Sequence, residues 1–310
     1  MSFVSSTTLY STQFSETIAL LAQQLTSVFA PYAMEDRNFV GERKTYNQVA
    51  AVKPTAYTPG DNTPTDSFTY TIRNVFPTAK HDGRLFDWSD GLQAVADPKA
   101  SGYQAIMAGF GRAYDDIFIS ALGGTAYTGK LGTTAQTLAA YNSGSQILAL
   151  ADANGAKTMT KLKIMAAKTL FNKAQVPAEG RHIALASEEE DQMLLMTDLT
   201  SHDFNIVKPL VEGTVQKRTW LGFEYLRSER LLAKDVSGDD AKTRLCYAWQ
   251  KTGVQIAIQL SPEARLEQYQ TKGYSWHWYV KFQMGGTRME ETKVVQIPCL
   301  ESVDIPALAD

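Results

Sequence analysis

The pattern of apolar and polar positions predicts one long amphipathic helix in the first half of the chain. Between Asp97 and Leu122, apolar residues recur at steps of three and four, which places them on one helix face. Asp97 offers an N-cap carboxylate, Pro98 suits the first helical position, and the pair Gly123-Gly124 ends the helix. The stripe consists of Tyr103, Ile106, Met107, Phe110, Tyr114, Ile117, Phe118 and Ala121.

A shorter helical pattern lies near the N-terminus. Its apolar residues are Phe14, Ile18, Leu21, Leu25 and Val28, and Pro31 ends it. A charged stretch follows without an apolar partner nearby, so the apolar face must be covered by something distant in sequence. It either docks on its own domain or docks on another subunit.

Two further helices are predicted in the second half. One runs from Thr160 to Ala174, with an apolar stripe of Leu162, Met165, Ala166 and Leu170. The other begins at the capping box Ser187-Glu188-Glu189-Glu190, which precedes Met193.

Two strand-like runs, Thr45 to Val52 and Ser67 to Val75, predict an antiparallel ribbon. The second alternates Phe68, Tyr70 and Ile72 with Thr69, Thr71 and Arg73. The connector is too long and too rich in Pro and Thr for a tight turn, so we expect the ribbon to project. An isolated ribbon is marginal in water and needs a surface to lie against.

The rest of the chain has the β-branched and aromatic content of sheet strands. Helices and strands follow one another without regular alternation, which predicts the α+β class. The predicted strands are Arg181 to Ala186, Trp220 to Leu226, Leu245 to Trp249, Val254 to Leu260, Trp276 to Phe282 and Val294 to Pro298.

Composition and charge exclude several classes of protein. The 310 residues are 44% hydrophobic, which is ample for a core, and 30 basic against 33 acidic residues give no basic field for nucleic acid. Cys246 and Cys299 lack metal-ligand or disulfide spacing, and the four histidines form no cluster. The chain has no signal peptide and no apolar stretch of about 18 residues, so we expect a soluble, reducing compartment and no membrane partner.

Two glycine motifs do not support nucleotide binding. The stretch from Gly124 to Lys130 has the spacing of a phosphate-binding loop, but Leu131 stands where a hydroxyl should hold magnesium. It also follows a helix, so we interpret it as a flexible turn. Gly109 and Gly111 lie inside the predicted long helix, where they favour close packing or a bend.

No set of residues predicts catalysis, a cofactor or a metal. The pairs His81-Asp82 and His202-Asp203 are interpreted as surface turns, because neither has a nucleophile nearby. Asp115-Asp116 is placed opposite the apolar stripe in a solvated or salt-bridged role, and Asp239-Asp240 is a second carboxylate pair. Cys246 is expected to pack as a small hydrophobe.

Taken in order, these segments resemble the major capsid (coat) proteins of tailed bacteriophages over nearly the whole chain. The resemblance is carried by LYSTQFSETIALLAQQ, by DPKASGYQAIMAGFGRAYDDIFISALGGTAYTG, and by CYAWQKTGVQIAI with YVKFQMGGTRMEETKVVQI near the end. In the last segment a strand runs into Gly-Gly-Thr-Arg and then into a strand with a Val-Val-x-Ile run. No single motif is specific to the family, and the resemblance rests on the order of these segments along the chain.

The resemblance implies the phage capsid fold and a division of the chain. Residues 1–35 would be the N-terminal arm and 36–80 the extended hairpin loop. Residues 81–178 would be the peripheral domain with the spine helix 97–122, residues 179–249 the axial domain, and 250–310 strands that return to the peripheral domain. The residues expected to take part in assembly are Phe14, Ile18, Leu21, Tyr57, Pro59 and Pro64.

The leading functional hypothesis is a structural subunit that forms hexamers and pentamers of an icosahedral head enclosing double-stranded DNA. Its expected place is the virion capsid, after synthesis in the host cytoplasm. Expected partners are further copies, a portal protein and a scaffolding protein. We find no additional domain of about a hundred residues before Met1, so scaffolding would come from a separate protein or from none. We find no residue set for a covalent subunit crosslink. Four lysines could contact packaged DNA weakly and without sequence specificity: Lys161, Lys163, Lys168 and Lys173. The favoured interpretation of these lysines is instead a solvated helix face.

Two alternatives stay open. One is the shell of a cellular compartment with the same fold, which would enclose an enzyme. The other is a hydrolase that uses His81 or His202.

Overall fold

The fold is known from a computed structural model, which describes residues 23–60, 62, 65–86, 98–155, 157–196, 216, 219–233 and 243–301. Helices and strands are mixed without regular alternation, which confirms the α+β class. The chain divides into two compact units. One comprises Met1–Ser27, Ala79–Ala113 and Ser261–Phe282, and the other comprises Val28–Thr78, Tyr114–Leu260 and Gln283–Asp310.

Three α-helices match predicted ones: α1 (Pro98–Gly123), α2 (Lys161–Lys173) and α3 (Ser187–Leu194). Glycine ends α1 as expected, while the predicted N-cap Asp97 lies outside the described residues. At the start of α2 the Thr160 hydroxyl accepts a hydrogen bond from Lys163 N at 3.4 Å.

The N-terminus of α3 begins one residue earlier than predicted, and only the glutamate half of the predicted capping box is formed. Ala186 is the N-cap, and its backbone N–H donates to the Glu189 carboxylate at 3.2 Å. Ser187 is not the cap because its hydroxyl bonds Glu229 instead.

The described part of the predicted N-terminal helix is not helical. Residues 23–28 are irregular, so the helix does not extend to Leu25 and Val28 as predicted. Side chains of α1 take the backbone groups that a helix would use: Arg112 donates to Gln24 O at 3.0 Å, and Asp115 accepts from Val28 N at 3.1 Å. Residues Phe14, Ile18 and Leu21 lie outside the described residues.

In the part of the chain that the structure describes, the strands form three sheets. They are β1 (Met34–Arg37), β2 (Lys44–Val49), β3 (Tyr70–Val75), β4 (Thr78–Phe86), β5 (Ala126–Thr128), β6 (Thr134–Gln136), β7 (Arg181–Leu185), β8 (Thr219–Trp220), β9 (Phe223–Arg227), β10 (Thr243–Gln250), β11 (Val254–Tyr269), β12 (Ser275–Arg288) and β13 (Val294–Leu300). The sheet orders are β1-β11-β12-β4, β13-β10-β7-β9-β8 and β2-β3-β5-β6. β1 pairs parallel with β11, and β10 pairs antiparallel with both β7 and β13.

Two segments that were predicted as turns are strands. His81-Asp82 lies within β4, and the Gly124–Lys130 stretch contains β5, where Ala126 is buried. Both were missed because their side chains are mostly polar or small, and strand formation there depends on pairing with partners distant in sequence.

An aromatic cluster lies in the core of the second compact unit. Phe118 of α1 stacks on Phe29 with ring centroids 5.1 Å apart, and Trp249 of β10 meets Phe118 at 5.3 Å. All three side chains are fully buried. Cys246 is fully buried in β10, which confirms its prediction as a small packing residue. The core therefore fixes β10 against the C-terminal half of α1.

Candidate assembly surfaces

The predicted ribbon is present, and its outer half is exposed. Strands β2 and β3 pair antiparallel from Lys44↔Val75 to Val49↔Tyr70. From Ala50 to Tyr70 every described residue is exposed, and Tyr57 is 84% accessible. Of the residues predicted for assembly, Tyr57 and Pro59 lie on this exposed part, whereas Pro64 lies outside the described residues.

The base of the ribbon is fixed by a buried ion pair. Arg73 Nη2 lies 2.5 Å from Glu291 Oε2, and Arg73 Nε donates to Met289 O at 2.9 Å. The alternating pattern placed Arg73 on the polar side with the threonines, but its side chain is buried because Glu291 neutralises it. Asn74 adds a hydrogen bond to Gly129 O at 2.7 Å. An exposed tip therefore extends from a rigid base.

Asp115 is buried, which contradicts its predicted solvated position. Its carboxylate accepts hydrogen bonds from the backbone N–H groups of Val28 and Phe29, at 3.1 and 3.3 Å. A buried carboxylate is stable in this place because it satisfies two otherwise unpaired donors. The adjacent Asp116 is salt-bridged as predicted, through two bonds of 2.7 and 2.6 Å to Arg230.

Gly111 in α1 allows a close approach of residues 26 and 27. A Cβ atom added at Gly111 would lie 3.0 Å from Ser27 N and 3.2 Å from Thr26 C. Close packing, one of the two roles predicted for this glycine, is therefore confirmed. At Gly109 the nearest atom to such a Cβ is Arg112 Nη2 at 3.7 Å, so that glycine has no similar contact.

Arg288 caps the C-terminus of α1 from inside the protein. Its guanidinium donates to Leu122 O at 2.8 Å, to Gly124 O at 2.5 Å and to Gln136 O at 3.1 Å. Burial lowers the pKa of Arg288 to about 10, so the side chain stays charged at neutral pH. The positive charge lies where the helix dipole favours a cation. The Gly-Gly-Thr-Arg pattern in the sequence does not by itself reveal this role of the arginine.

Lys163 is buried and does not belong to an exposed basic face. Its ammonium donates to Lys157 O at 2.7 Å and to Pro298 O at 3.0 Å. Desolvation lowers the pKa of Lys163. Both predicted roles for this lysine, DNA contact and solvation, are therefore wrong.

The apolar stripe predicted along α2 is not the side of the helix that is buried. Leu162, Met165 and Ala166 are exposed, while the residues facing inward are Lys163, Ile164, Ala167 and Phe171. α2 is apolar on two sides, and periodicity alone did not tell which side is buried.

The His, Asp and Cys residues considered above as possible catalytic or metal-binding groups do not come together as a site in the described part of the chain. His81 is exposed on β4, where its ring lies 5.9 Å from that of Tyr279, and His202 and Asp239-Asp240 lie outside the described residues. Cys246 and Cys299 are both buried. Among the described residues, no three His, Cys, Asp or Glu side chains are placed to hold a metal ion. None of the helices described there has the length and apolar character needed to span a bilayer.

The fold defined by these elements is that of phage capsid subunits. The structure is similar to a capsid subunit of the cyanophage Pam1, at TM-score 0.74 and 14% identity over 98% of this chain and 100% of that one. It is also similar to a chain from Mycobacterium phage Che8, at TM-score 0.67 and 18% identity over 93% and 96% of the two chains. A capsid chain of the cyanophage P-SCSP1u matches at TM-score 0.71 and 13% identity, over 95% of this chain and 94% of the other.

The sequence itself identifies the family. The family model described as phage capsid protein matches residues 6–301, which is nearly the whole chain. The chain therefore belongs to the phage capsid protein family. No curated protein matches the chain.

Proposed function

We propose that this chain is the major capsid protein of a tailed phage and that copies of it build the icosahedral shell around the packaged DNA. The family match over residues 6–301 carries this proposal. It is a structural role, in which each copy covers the exposed apolar surface of its neighbours. Hexamers and pentamers, the portal and scaffolding partners and the contact with DNA stay predictions from the family likeness.

The ribbon provides the physical argument for assembly. Tyr57, Phe68 and Tyr70 are each more than half exposed in the outer half of the ribbon. Exposed aromatic groups of this kind mark surfaces that become covered on association. The buried Arg73–Glu291 pair keeps the base rigid, so the ribbon reaches a neighbour without unfolding the subunit.

The division of the chain also stays a proposal. It assigns residues 1–35 to an arm, 36–80 to the extended loop, 81–178 to the peripheral domain, 179–249 to the axial domain and 250–310 to returning strands. In this scheme Phe14, Ile18, Leu21, Tyr57, Pro59 and Pro64 take part in contacts between copies.

Deletion of Thr55 to Thr65 tests the role of the ribbon. The shortened subunit should be soluble and folded, because the described residues of the deleted segment are all exposed, but it should not form shells. In a control, the same residues are replaced by a Gly/Ser segment of equal length. This control shows whether assembly needs only the length of the ribbon or also the contacts of its side chains. Normal particles from the deletion variant would refute the role given to the ribbon. DNA within wild-type particles distinguishes a phage head from a compartment that encloses an enzyme.

A further inference from the structure

Helix α2 has apolar side chains on two opposite sides, and only one of them is covered within the subunit. Ile164, Ala167 and Phe171 are fully buried, whereas Leu162 and Met165 are 39% and 44% exposed. Steps of three and four residues place Leu162, Met165, Ala166 and Thr169 on one surface. We name these four residues the α2 outer face. A helix in contact with water alone normally carries polar residues on that side.

The surroundings of the α2 outer face are basic. From Lys157 to Val176 the chain contains five lysines and no Asp or Glu, although the whole chain has a formal charge of -3. Lys163 points inward to backbone carbonyls, while Lys168 is half-buried and Lys173 is exposed at the end of the helix. A surface of this kind fits a partner that combines apolar side chains with carboxylates.

Helix α3 presents such a surface. Glu188 and Asp191 of α3 and its C-cap residue Leu195 follow one another at steps of three and four, and all three are exposed, with Leu195 at 71%. We name them the α3 outer face. Glu189 and Glu190 point inward and are buried, so they do not contribute to it. The α3 outer face thus has two carboxylates one to two turns from an exposed leucine.

We propose that the α3 outer face of one copy docks on the α2 outer face of a second copy in the shell. Leu195 would cover Leu162 and Met165, and the carboxylates of Glu188 and Asp191 would meet the lysines that flank α2. Both surfaces are exposed within one subunit, so they do not cover each other there. The inference rests on the proposed function, because it requires copies that assemble.

The size of the contact and its chemistry decide between occupants. Stable pairs of proteins usually bury about 800 Å² per partner, more than one helix pair offers, so this contact would form only where many act together in a shell. Packaged DNA would engage the lysines but would leave Leu162 and Met165 uncovered. An acidic, apolar protein surface satisfies both groups.

A pair of introduced cysteines tests the contact directly. In shells of the M165C/L195C variant, mild oxidation should link different copies and give dimers or larger species on a non-reducing gel. The native thiols of Cys246 and Cys299 are fully buried and should give little background. The control pair M165C/Y274C has one cysteine moved to an exposed residue of the β11–β12 turn and should stay monomeric on the gel. Assembled shells of M165C/L195C without crosslinks would overturn the proposal.

Charge reversal provides a second test that does not depend on oxidation. K168E/K173E should lower the yield of shells at least about tenfold, and E188K/D191K should do the same. The variant that carries all four changes should recover most of the yield, because opposite charges again face each other. The matched control K272E, an exposed lysine outside both faces, should assemble normally.

The outcomes separate this inference from the proposed function. If the wild-type chain forms no shells, the proposed function fails. If it forms shells and both reversed variants do so equally well, only the α2–α3 contact is wrong. If K168E/K173E assembles normally but its shells retain less DNA, the basic surface faces DNA and the contact is overturned.

Discussion

The guanidinium of Arg288 donates a hydrogen bond to the carbonyl oxygen of Leu122 at 2.8 Å, which joins a residue near the end of the chain to the C-terminus of α1. The last carbonyls of a helix have no partner within the helix and need one from outside. One buried side chain provides it for several carbonyls at once, and it also binds Gln136 O at 3.1 Å. Strand β12 thereby holds the end of the long helix.

Replacement of Arg288 by Met should lower the free energy of unfolding by about 3 kcal/mol, since several buried carbonyls lose their donor. Urea unfolding of the unassembled subunit, followed by circular dichroism, measures the loss. Arg37→Met is the matched control, because that arginine is largely exposed and should change stability by less than about 0.5 kcal/mol. Equal stability of the two variants would show that Arg288 is not needed as a cap.

Arg73 and Glu291 should be energetically coupled. Arg73→Met leaves a buried carboxylate without its partner and should cost about 3–5 kcal/mol, and Glu291→Met should be costly for the same reason. The double variant should lose less than the sum by at least about 1 kcal/mol. A double-mutant cycle in urea measures this difference, and strictly additive losses would contradict the ion pair.

The two glycines of α1 should respond to alanine in opposite directions. At Gly111 an added methyl group would press on Ser27 N at 3.0 Å, so G111A should destabilise the subunit by about 1–2 kcal/mol. At Gly109 the methyl has room, and G109A should gain about 0.5–1 kcal/mol from helix propensity. Thermal melting of both variants under one condition compares them. A stabilising G111A would mean that the close approach at residues 26 and 27 is absent.

Glu189 should make stability depend on pH. Burial raises its pKa from 4.5 to about 7, and its Oε1 has no hydrogen-bond partner among the described residues. Between these values the unfolded chain releases the proton while the folded chain keeps it, so stability falls as pH rises from about 4.5 to about 7. Glu189→Gln should remove this loss and exceed the wild type at pH ~8 by on the order of 2 kcal/mol.

Urea unfolding near pH 5 and pH 8 checks the expectation for Glu189. Glu188→Gln is the control, because that neighbour is exposed and should leave the pH dependence unchanged. If the Glu189 variant keeps the wild-type pH profile, the buried carboxyl is not the group responsible.

The elements whose signals lie within a short stretch of sequence were predicted correctly. The long helix, α2, α3 and the antiparallel ribbon follow from periodicity and end signals within a few residues. Strand β4 was missed, since its polar residues are stabilised by pairing with the distant strand β12. The N-terminal helix was extended too far because its last residues bond to side chains of α1.

The buried polar residues were predicted less well than the elements. Asp115 bonds Val28, 87 positions away, and Lys163 bonds Pro298, 135 positions away. A charged residue whose partner is so distant looks like a solvated one in the sequence. The one available signal was an arginine or lysine among residues that otherwise look buried, as with Arg288 in the Gly-Gly-Thr-Arg segment. The functional hypothesis rested instead on the order of whole segments along the chain.

Electron microscopy of particles formed by the purified chain tests the assignment to a phage shell most directly. We expect closed shells of uniform size in which hexameric and pentameric clusters of the 34.2 kDa subunit are visible. A compact monomer that stays monomeric at high concentration, with residues 50–70 packed against its own body, would contradict it.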